Sequence, residues 1–74
     1  MKTKELIGKE VLDSNINVLG RVIDLDFNPD TFEIENLVIQ RGNIQERMSI
    51  KKTEDLIPIS AVCSVGDKVL LNDL

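Results

Sequence analysis

One long predicted β-hairpin constrains the fold of this chain more than any other feature of its sequence. The first arm spans residues 20–27 and the second spans residues 32–40, with a turn at 28–31. Apolar and acidic side chains alternate along the first arm, which predicts a strand with one buried face and one face in water. The alternating residues are Ile23, Asp24, Leu25, Asp26 and Phe27. Pro29 fixes φ at the first central position of the turn, so the arms are predicted to pair as antiparallel neighbours.

The second arm ends in three consecutive apolar residues at 37–39, where the alternation stops. Such a run predicts a strand that is buried on both faces, or one whose outer face another segment covers. Residues 6–12 combine a short apolar start, a Gly turn and a brief predicted strand, and further short apolar segments occur at 56–59 and 69–71. Pro58 has no N–H group to donate, so the segment that contains it is predicted to be an edge strand or to end there.

Five or six short strands in 74 residues predict a single all-β domain over residues 1–74. We expect a small, mostly antiparallel β-barrel, because closure removes the exposed edges of such a sheet. One short helical segment is predicted near residues 43–50, since Asn43 can cap a helix and Glu46 follows three residues later. An irregular loop in that segment is the alternative.

Charge and composition argue against direct binding of nucleic acid. The net charge is −4, and residues 1–37 carry four basic and eight acidic side chains (4 − 8 = −4). An acidic surface repels a phosphate backbone. The chain also has no Trp and no Tyr, whereas surfaces that stack bases need aromatic rings.

The sequence predicts a cytoplasmic protein without a transmembrane segment. The charged N-terminal residues are not followed by the apolar segment of a signal peptide, and no apolar run approaches the roughly 18 residues that cross a bilayer. Cys63 is the only cysteine, which rules out an internal disulfide and fits a reducing compartment. Its apolar neighbours predict that it is a small buried side chain.

The acidic residues of the hairpin invite a calcium-binding interpretation. Five oxygen-bearing side chains fall at the spacing of an EF-hand loop: Asp24, Asp26, Asn28, Asp30 and Glu35. The position that requires Gly is Pro29, which cannot adopt a positive φ. The flanking segments are predicted strands rather than helices. We therefore expect no metal site and no cofactor.

Catalysis is the weaker functional hypothesis. Paired carboxylates need a pocket that separates their pKa values, and a small filled barrel offers no obvious cleft. The chain has no His to act as a base for its serines. We therefore predict that the protein is not an enzyme.

Taken in order, several segments resemble the PRC-barrel family. They are Leu6–Val11, Gly20–Asp24, Leu37–Ile39, Ile57–Val62 and Val65–Leu71. The resemblance covers nearly the whole chain. It implies a non-enzymatic barrel that binds other proteins, often as a dimer or in larger assemblies, with no catalytic residues to carry over.

The family includes the C-terminal domain of RimM and the cytoplasmic domain of the photosynthetic reaction centre H subunit. Free-standing members of this size resemble small archaeal proteins, some of which are linked to cell division around the membrane-anchoring protein SepF. The resemblance thus implies a cell-division adaptor that forms a homodimer, or an assembly with another PRC-barrel protein, and binds a SepF-like protein. The alternative is an accessory factor in ribosome maturation or RNA processing that acts through protein contacts.

The chain also carries more aliphatic surface than a barrel of this size is expected to hide, which indicates a protein interface. The predicted partner-binding residues are Leu37, Ile39, Ile44, Met48, Ile50 and Leu74. The alternative is that the segment from Ile44 to Ile50 covers Leu37 and Ile39 within the chain. A homodimer through a barrel edge or through this segment would satisfy both interpretations in part.

Overall fold

A computed structural model describes residues 1–41 and 53–72 of the chain. Its elements are α1 (Thr3–Leu6), β1 (Glu10–Leu12), β2 (Val18–Phe27), β3 (Ile34–Arg41), β4 (Thr53–Pro58), a 3-10 turn (Ile59–Ala61), β5 (Val62–Val65) and β6 (Val69–Leu71). The helix α1, which the sequence analysis did not predict, has only four residues. No helix in the described ranges is long and apolar enough to cross a membrane. The helical segment predicted near residues 43–50 lies outside these ranges.

The six strands form one sheet in the order β4-β3-β2-β1-β6-β5. Every neighbouring pair is antiparallel except β1 and β6, which run parallel. This arrangement confirms the predicted all-β fold, a small barrel-like sheet with mostly antiparallel neighbours. The strand β4 lies at one end of the order and finishes at Pro58, as the missing N–H group of that residue predicts.

The core lies between the inward-facing side chains of both halves of the chain. Its buried members are Val11, Leu12, Val22, Leu37, Ile39, Ala61, Val69 and Leu71. Leu37 and Ile39 lie two positions apart in β3, so both point to the same face of the sheet, and the side chain of Val38 between them is half-buried. The inner face of the run at 37–39 is thus buried, and its outer face is partly exposed at Val38.

The alternation along β2 differs from the prediction at both ends of the acidic stretch. Ile23 and Phe27, which the alternation assigned to the buried face, are exposed, and Val22 is buried instead. The pairing register with β3 shifts between Val22 and Asp24 and again after Asp26. The first shift leaves Ile23 as the extra residue of a bulge, which does not follow the alternation of its neighbours. The second shift skips Glu35 in β3, and Phe27 lies at the exposed end of β2. The prediction that Ile23 and Phe27 are buried was therefore wrong.

The prediction that Cys63 is buried was also wrong. Cys63 is exposed on β5. The partners of β6 step from Val62 directly to Ser64, so Cys63 is the extra residue of a bulge in an end strand. Such a residue lies outside the regular pairing and does not follow the inward–outward alternation of its neighbours.

Candidate interaction surface at the hairpin tip

The only aromatic side chains of the chain, Phe27 and Phe32, lie together at the tip of the β2–β3 hairpin. Their rings stack with centroids 6.3 Å apart and an interplanar angle of 17°. The two residues are 52% and 77% exposed. Ile34, which pairs with Phe27 across the hairpin, is exposed beside them. Phe27, Phe32 and Ile34 are called the tip cluster below.

The loop that carries Phe32 is fixed by hydrogen bonds of its own. The Phe32 N–H donates to the carbonyl oxygen of Asn28 (2.6 Å), and the Asn28 N–H donates to that of Glu33 (2.8 Å). The Asn28 side-chain oxygen also accepts the N–H of Asp30 (2.8 Å). The turn predicted at 28–31 is present and continues to Glu33. Backbone hydrogen bonds therefore close the loop that carries Phe32.

Phe32 adopts an unusual backbone conformation. Its φ is +62°, in the left-handed region, where a Cβ atom crowds the following carbonyl group. That conformation costs a residue with a side chain about 1–2 kcal/mol, and a bulky residue rarely adopts it. Gly or Asn would fit this position with less strain. Local backbone preference therefore does not account for an aromatic residue at position 32.

The surface around the tip cluster is acidic. Between positions 22 and 40 the chain has no Lys or Arg and five carboxylates: Asp24, Asp26, Asp30, Glu33 and Glu35. All five are exposed, and none forms an ion pair with a residue in the described ranges. Arg21 and Arg41 lie at the opposite end of the hairpin, so the hairpin is acidic toward its tip.

The basic side chains nearest the base of the hairpin have carboxylate partners elsewhere. Glu10 in β1 pairs with Lys68 and lies 3.8 Å from the Arg21 guanidinium, while Arg41 pairs with Asp55 across β3 and β4. The hydrogen bond and charge of Lys68, with a smaller contribution from Arg21, lower the pKa of Glu10 below its ordinary value. These pairs join strands and leave the carboxylates of the tip uncompensated.

A second exposed apolar residue occupies a similar loop at the other end of β2. Ile16 has a φ of +66° and is 68% exposed. The Asp13 carboxylate accepts the N–H groups of Asn17 (2.9 Å) and Asn15 (2.8 Å) and fixes this loop. Hydrogen bonds from Asn17 are the main reason that the pKa of Asp13 is lowered. Because Ile16 and Phe32 lie at opposite ends of β2, Ile16 is a matched control for Phe32.

The predicted partner-binding residues separate into two groups. Leu37 and Ile39 are 1% and 0% exposed and belong to the core cluster with Val11, Val22 and Val69. They are buried within the described part of the chain. The alternative, that the segment from Ile44 to Ile50 covers them, stays a prediction because that segment lies outside the described ranges. Four further residues lie outside the described ranges: Ile44, Met48, Ile50 and Leu74.

The tip cluster was missing from the predicted partner-binding residues. Its signal in the sequence is that both aromatic residues flank one Pro-containing turn, in a segment without basic residues. The alternation placed Phe27 in the core, and the strain at Phe32 cannot be read from residue types. The exposed aromatic pair therefore became visible only in the structure.

The EF-hand spacing places its residues along two strands and a loop rather than around one point. The Asn28 side chain is already bonded to the backbone N–H of Asp30, and the Asp26 carboxylate accepts the Asn36 side-chain amide (2.9 Å). Within residues 1–41 and 53–72, no group of three or more His, Cys, Asp or Glu side chains is arranged to hold a metal ion.

Comparison with known proteins gives both a family and a fold. A family model described as the PRC-barrel domain matches residues 1–74. Among curated proteins none matches the chain. The fold is similar to the crystal structure of RimM from Pseudomonas aeruginosa, described as a 16S ribosomal RNA processing protein, with a TM-score of 0.70 and 18% sequence identity. The similarity covers 97% of this chain and 43% of that one, so the chain spans less than half of the RimM length.

Proposed function

The chain belongs to the PRC-barrel family, and we propose that it is a non-enzymatic protein-interaction module that binds a partner through the tip of its β2–β3 hairpin. One observation carries the proposal: the two aromatic side chains of the chain are stacked, exposed and adjacent at one turn. Aromatic side chains supply much of the binding energy at the centres of protein interfaces. An exposed pair of this kind suits insertion into a partner's pocket.

The geometry of the loop supports the same function. The hydrogen bonds that close the loop around Asn28 fix its backbone before a partner arrives, so less backbone freedom remains to be lost on binding. The backbone strain at Phe32 is a cost to folding. Phe32 has a strained backbone and yet exposes its ring to water, and this combination is consistent with a binding role.

We propose an archaeal cell-division adaptor as the biological setting, on the basis of the resemblance to small free-standing PRC-barrel proteins. In this setting the protein forms a homodimer or an assembly with another PRC-barrel protein and binds a SepF-like division protein. An adaptor needs a second contact surface, and β4 offers one. Leu56 is exposed on that strand, and no described strand pairs with its outer side. Two copies can pair such edges by backbone hydrogen bonds.

An accessory role in ribosome maturation is the second candidate. The fold similarity to RimM favours it, although 18% identity carries over the fold alone. The acidic hairpin disfavours contact with RNA phosphates, so in this role the module would bind a ribosomal or processing protein.

Affinity capture from cells that encode the chain tests the proposed function. The immobilised full chain is compared with Phe32→Asn, which removes the ring and suits the left-handed backbone, and with Ile16→Asn, which makes the same change at the opposite loop. We expect a captured protein that Phe32→Asn loses and Ile16→Asn retains. Capture of cell-division proteins would support the role as a division adaptor, and capture of ribosomal proteins would support the role in ribosome maturation. Equal capture by Phe32→Asn would contradict binding through the tip.

A further inference from the structure

We propose that the partner presents an apolar pocket rimmed by Lys or Arg side chains, and that Phe27 and Phe32 enter this pocket. The inference rests on the proposed function and adds the chemistry of the partner. It follows from where the charges of the hairpin lie relative to its rings.

Three carboxylates flank the aromatic pair along the chain and are called its acidic rim. Asp26 immediately precedes Phe27 and Glu33 immediately follows Phe32, while Asp30 lies in the loop between the rings. All three are exposed and have no ion-pair partner in the described part of the chain. An apolar centre with a polar rim is the usual anatomy of a protein interface.

The negative charge of these carboxylates determines which kind of partner surface can cover the tip. A partner that covered the rings with neutral or acidic surface would remove water from these carboxylates without giving them a counter-charge, which is costly. Lys or Arg side chains around the pocket would instead attract the tip during approach and pair with its carboxylates in the complex. The binding partner is therefore basic at the point of contact.

The same charges argue against other occupants of the tip. Nucleic acids and anionic membrane surfaces carry negative charge and are repelled. Two copies that met tip to tip would bring like charges together. Arg21, Arg41 and Lys68 are already paired with carboxylates of their own chain.

Neutralising three of the five carboxylates separates the contribution of charge from that of the rings. Asp26 is left unchanged because it accepts a hydrogen bond from the Asn36 side chain. The triple variant Asp30→Asn, Glu33→Gln, Glu35→Gln keeps both phenylalanines. None of the three side chains makes a hydrogen bond or ion pair with a residue that the structure describes. The loop geometry should therefore survive the change, and circular dichroism with urea unfolding checks this.

The test uses the protein that the full wild-type chain captures from its own cells, once identified and purified. Its affinity for each variant is measured by fluorescence anisotropy between 50 and 500 mM NaCl, roughly the range over which screening becomes strong. Phe32→Asn should weaken binding at least about tenfold at every salt concentration. The triple variant should weaken it about tenfold at low salt and much less at high salt. Ile16→Asn should bind like the wild type.

The outcomes distinguish this inference from the proposed function. If Phe32→Asn abolishes binding while the triple variant and salt have no effect, the tip is the binding site but its partner is not basic. If Phe32→Asn binds normally, both the site and its partner chemistry are wrong. If the wild-type chain captures no protein, both the binding function of the tip and the basic partner are contradicted. If the captured protein is a second copy of this chain, and Phe32→Asn disrupts that assembly, the partner assignment is overturned.

Discussion

Gly20 in β2 lies directly against the backbone carbonyl group of Gln40 in β3. A Cβ atom added at Gly20 would overlap the Gln40 oxygen and lie 3.0 Å from its carbon. The next residue, Arg21, is the register partner of Gln40, so the close approach occurs where the two longest strands begin their pairing. The absence of a side chain is what permits this approach.

Gly20→Ala should therefore destabilise the fold by about 2–3 kcal/mol, the cost of overpacking a closed site. The contacting atoms are backbone, and the sheet holds them, so they cannot move aside. Urea unfolding measures the change in free energy. Gly66→Ala is the control, since a Cβ at Gly66 meets no atom within 4 Å, and it should change stability by less than about 0.5 kcal/mol. Equal effects at the two sites would contradict the close approach.

Relief of backbone strain should be visible at Ile16. Ile16→Asn replaces a β-branched residue at φ +66° by one that tolerates the left-handed region, and it should raise the free energy of unfolding by roughly 0.5–1 kcal/mol. Phe32→Asn relieves similar strain but loses the ring contact with Phe27, which is worth about 0.5–1.5 kcal/mol. Its stability should therefore stay close to that of the wild type. A large loss at position 32 would show that the tip is structural rather than functional.

Ile39→Ala should be severely destabilising. Ile39 is fully buried among the core residues, and removing its side chain leaves a cavity that costs about 2–5 kcal/mol. In so small a domain this is a large fraction of the total stability. Leu56→Ala on the exposed side of β4 is the matched control and should cost less than about 1 kcal/mol. Thermal unfolding by circular dichroism compares the two.

The stability of the protein should decrease in acid partly through Glu10. Lys68 lowers the pKa of Glu10 below its ordinary value of 4.5, so the folded state binds its proton less readily than the unfolded state. The contribution is present above pH 4.5 and is lost as the pH falls through the lowered pKa. Glu10→Gln should be less stable than the wild type near pH 7, and the gap should close toward pH 3.

Lys68→Met tests the cause of that pH dependence. Without the Lys68 amine, the loss of stability caused by Glu10→Gln should be smaller at pH 7, because only Arg21 remains near the carboxylate. The pKa of Asp13 is also lowered, by hydrogen bonds from Asn17 and Asn15, so some acid sensitivity should persist in every variant. A constant gap between wild type and Glu10→Gln from pH 7 to pH 3 would refute the assignment.

Self-association through the β4 edge can be tested by charge. Leu56→Lys places a solvated ammonium group on the edge strand, a change that opposes pairing of one edge with another. Light scattering at increasing protein concentration should show a dimer for the wild type and a monomer for Leu56→Lys. A strictly monomeric wild type at high concentration would contradict the proposed homodimer.

The strands were predictable where one physical rule decides the outcome. Pro58 cannot donate to a sheet, and β4 ends there at one end of the strand order. The apolar run at 37–39 predicted a strand that is buried on both sides or covered on its outer side. Leu37 and Ile39 are core residues on one face, and Val38 on the other face is half-buried. The family resemblance drew on the same residues and gave the fold correctly.

Two of the exceptions share one cause, which is bulged pairing. Ile23 and Cys63 each lie at a shift in register, and a shift of one residue reverses the face to which a side chain points. The residue types in a sequence do not reveal where the pairing register of two strands shifts. Phe27 is a different case, because the second shift skips Glu35 of β3 and leaves β2 regular; Phe27 is exposed at the end of β2, beside the turn.

The parallel pair of β1 and β6 has a consequence for the order of folding. Val11 near the start of the chain is aligned with Val69 near the end of the described residues, and both belong to the buried cluster. The hairpin of β2 and β3 needs only local contacts, whereas β1 gains its second neighbour only after β6 has been synthesised. Contacts between distant segments form slowly because a long loop must close first. During translation the acidic hairpin can therefore form while the apolar face of β1 still lacks its β6 neighbour.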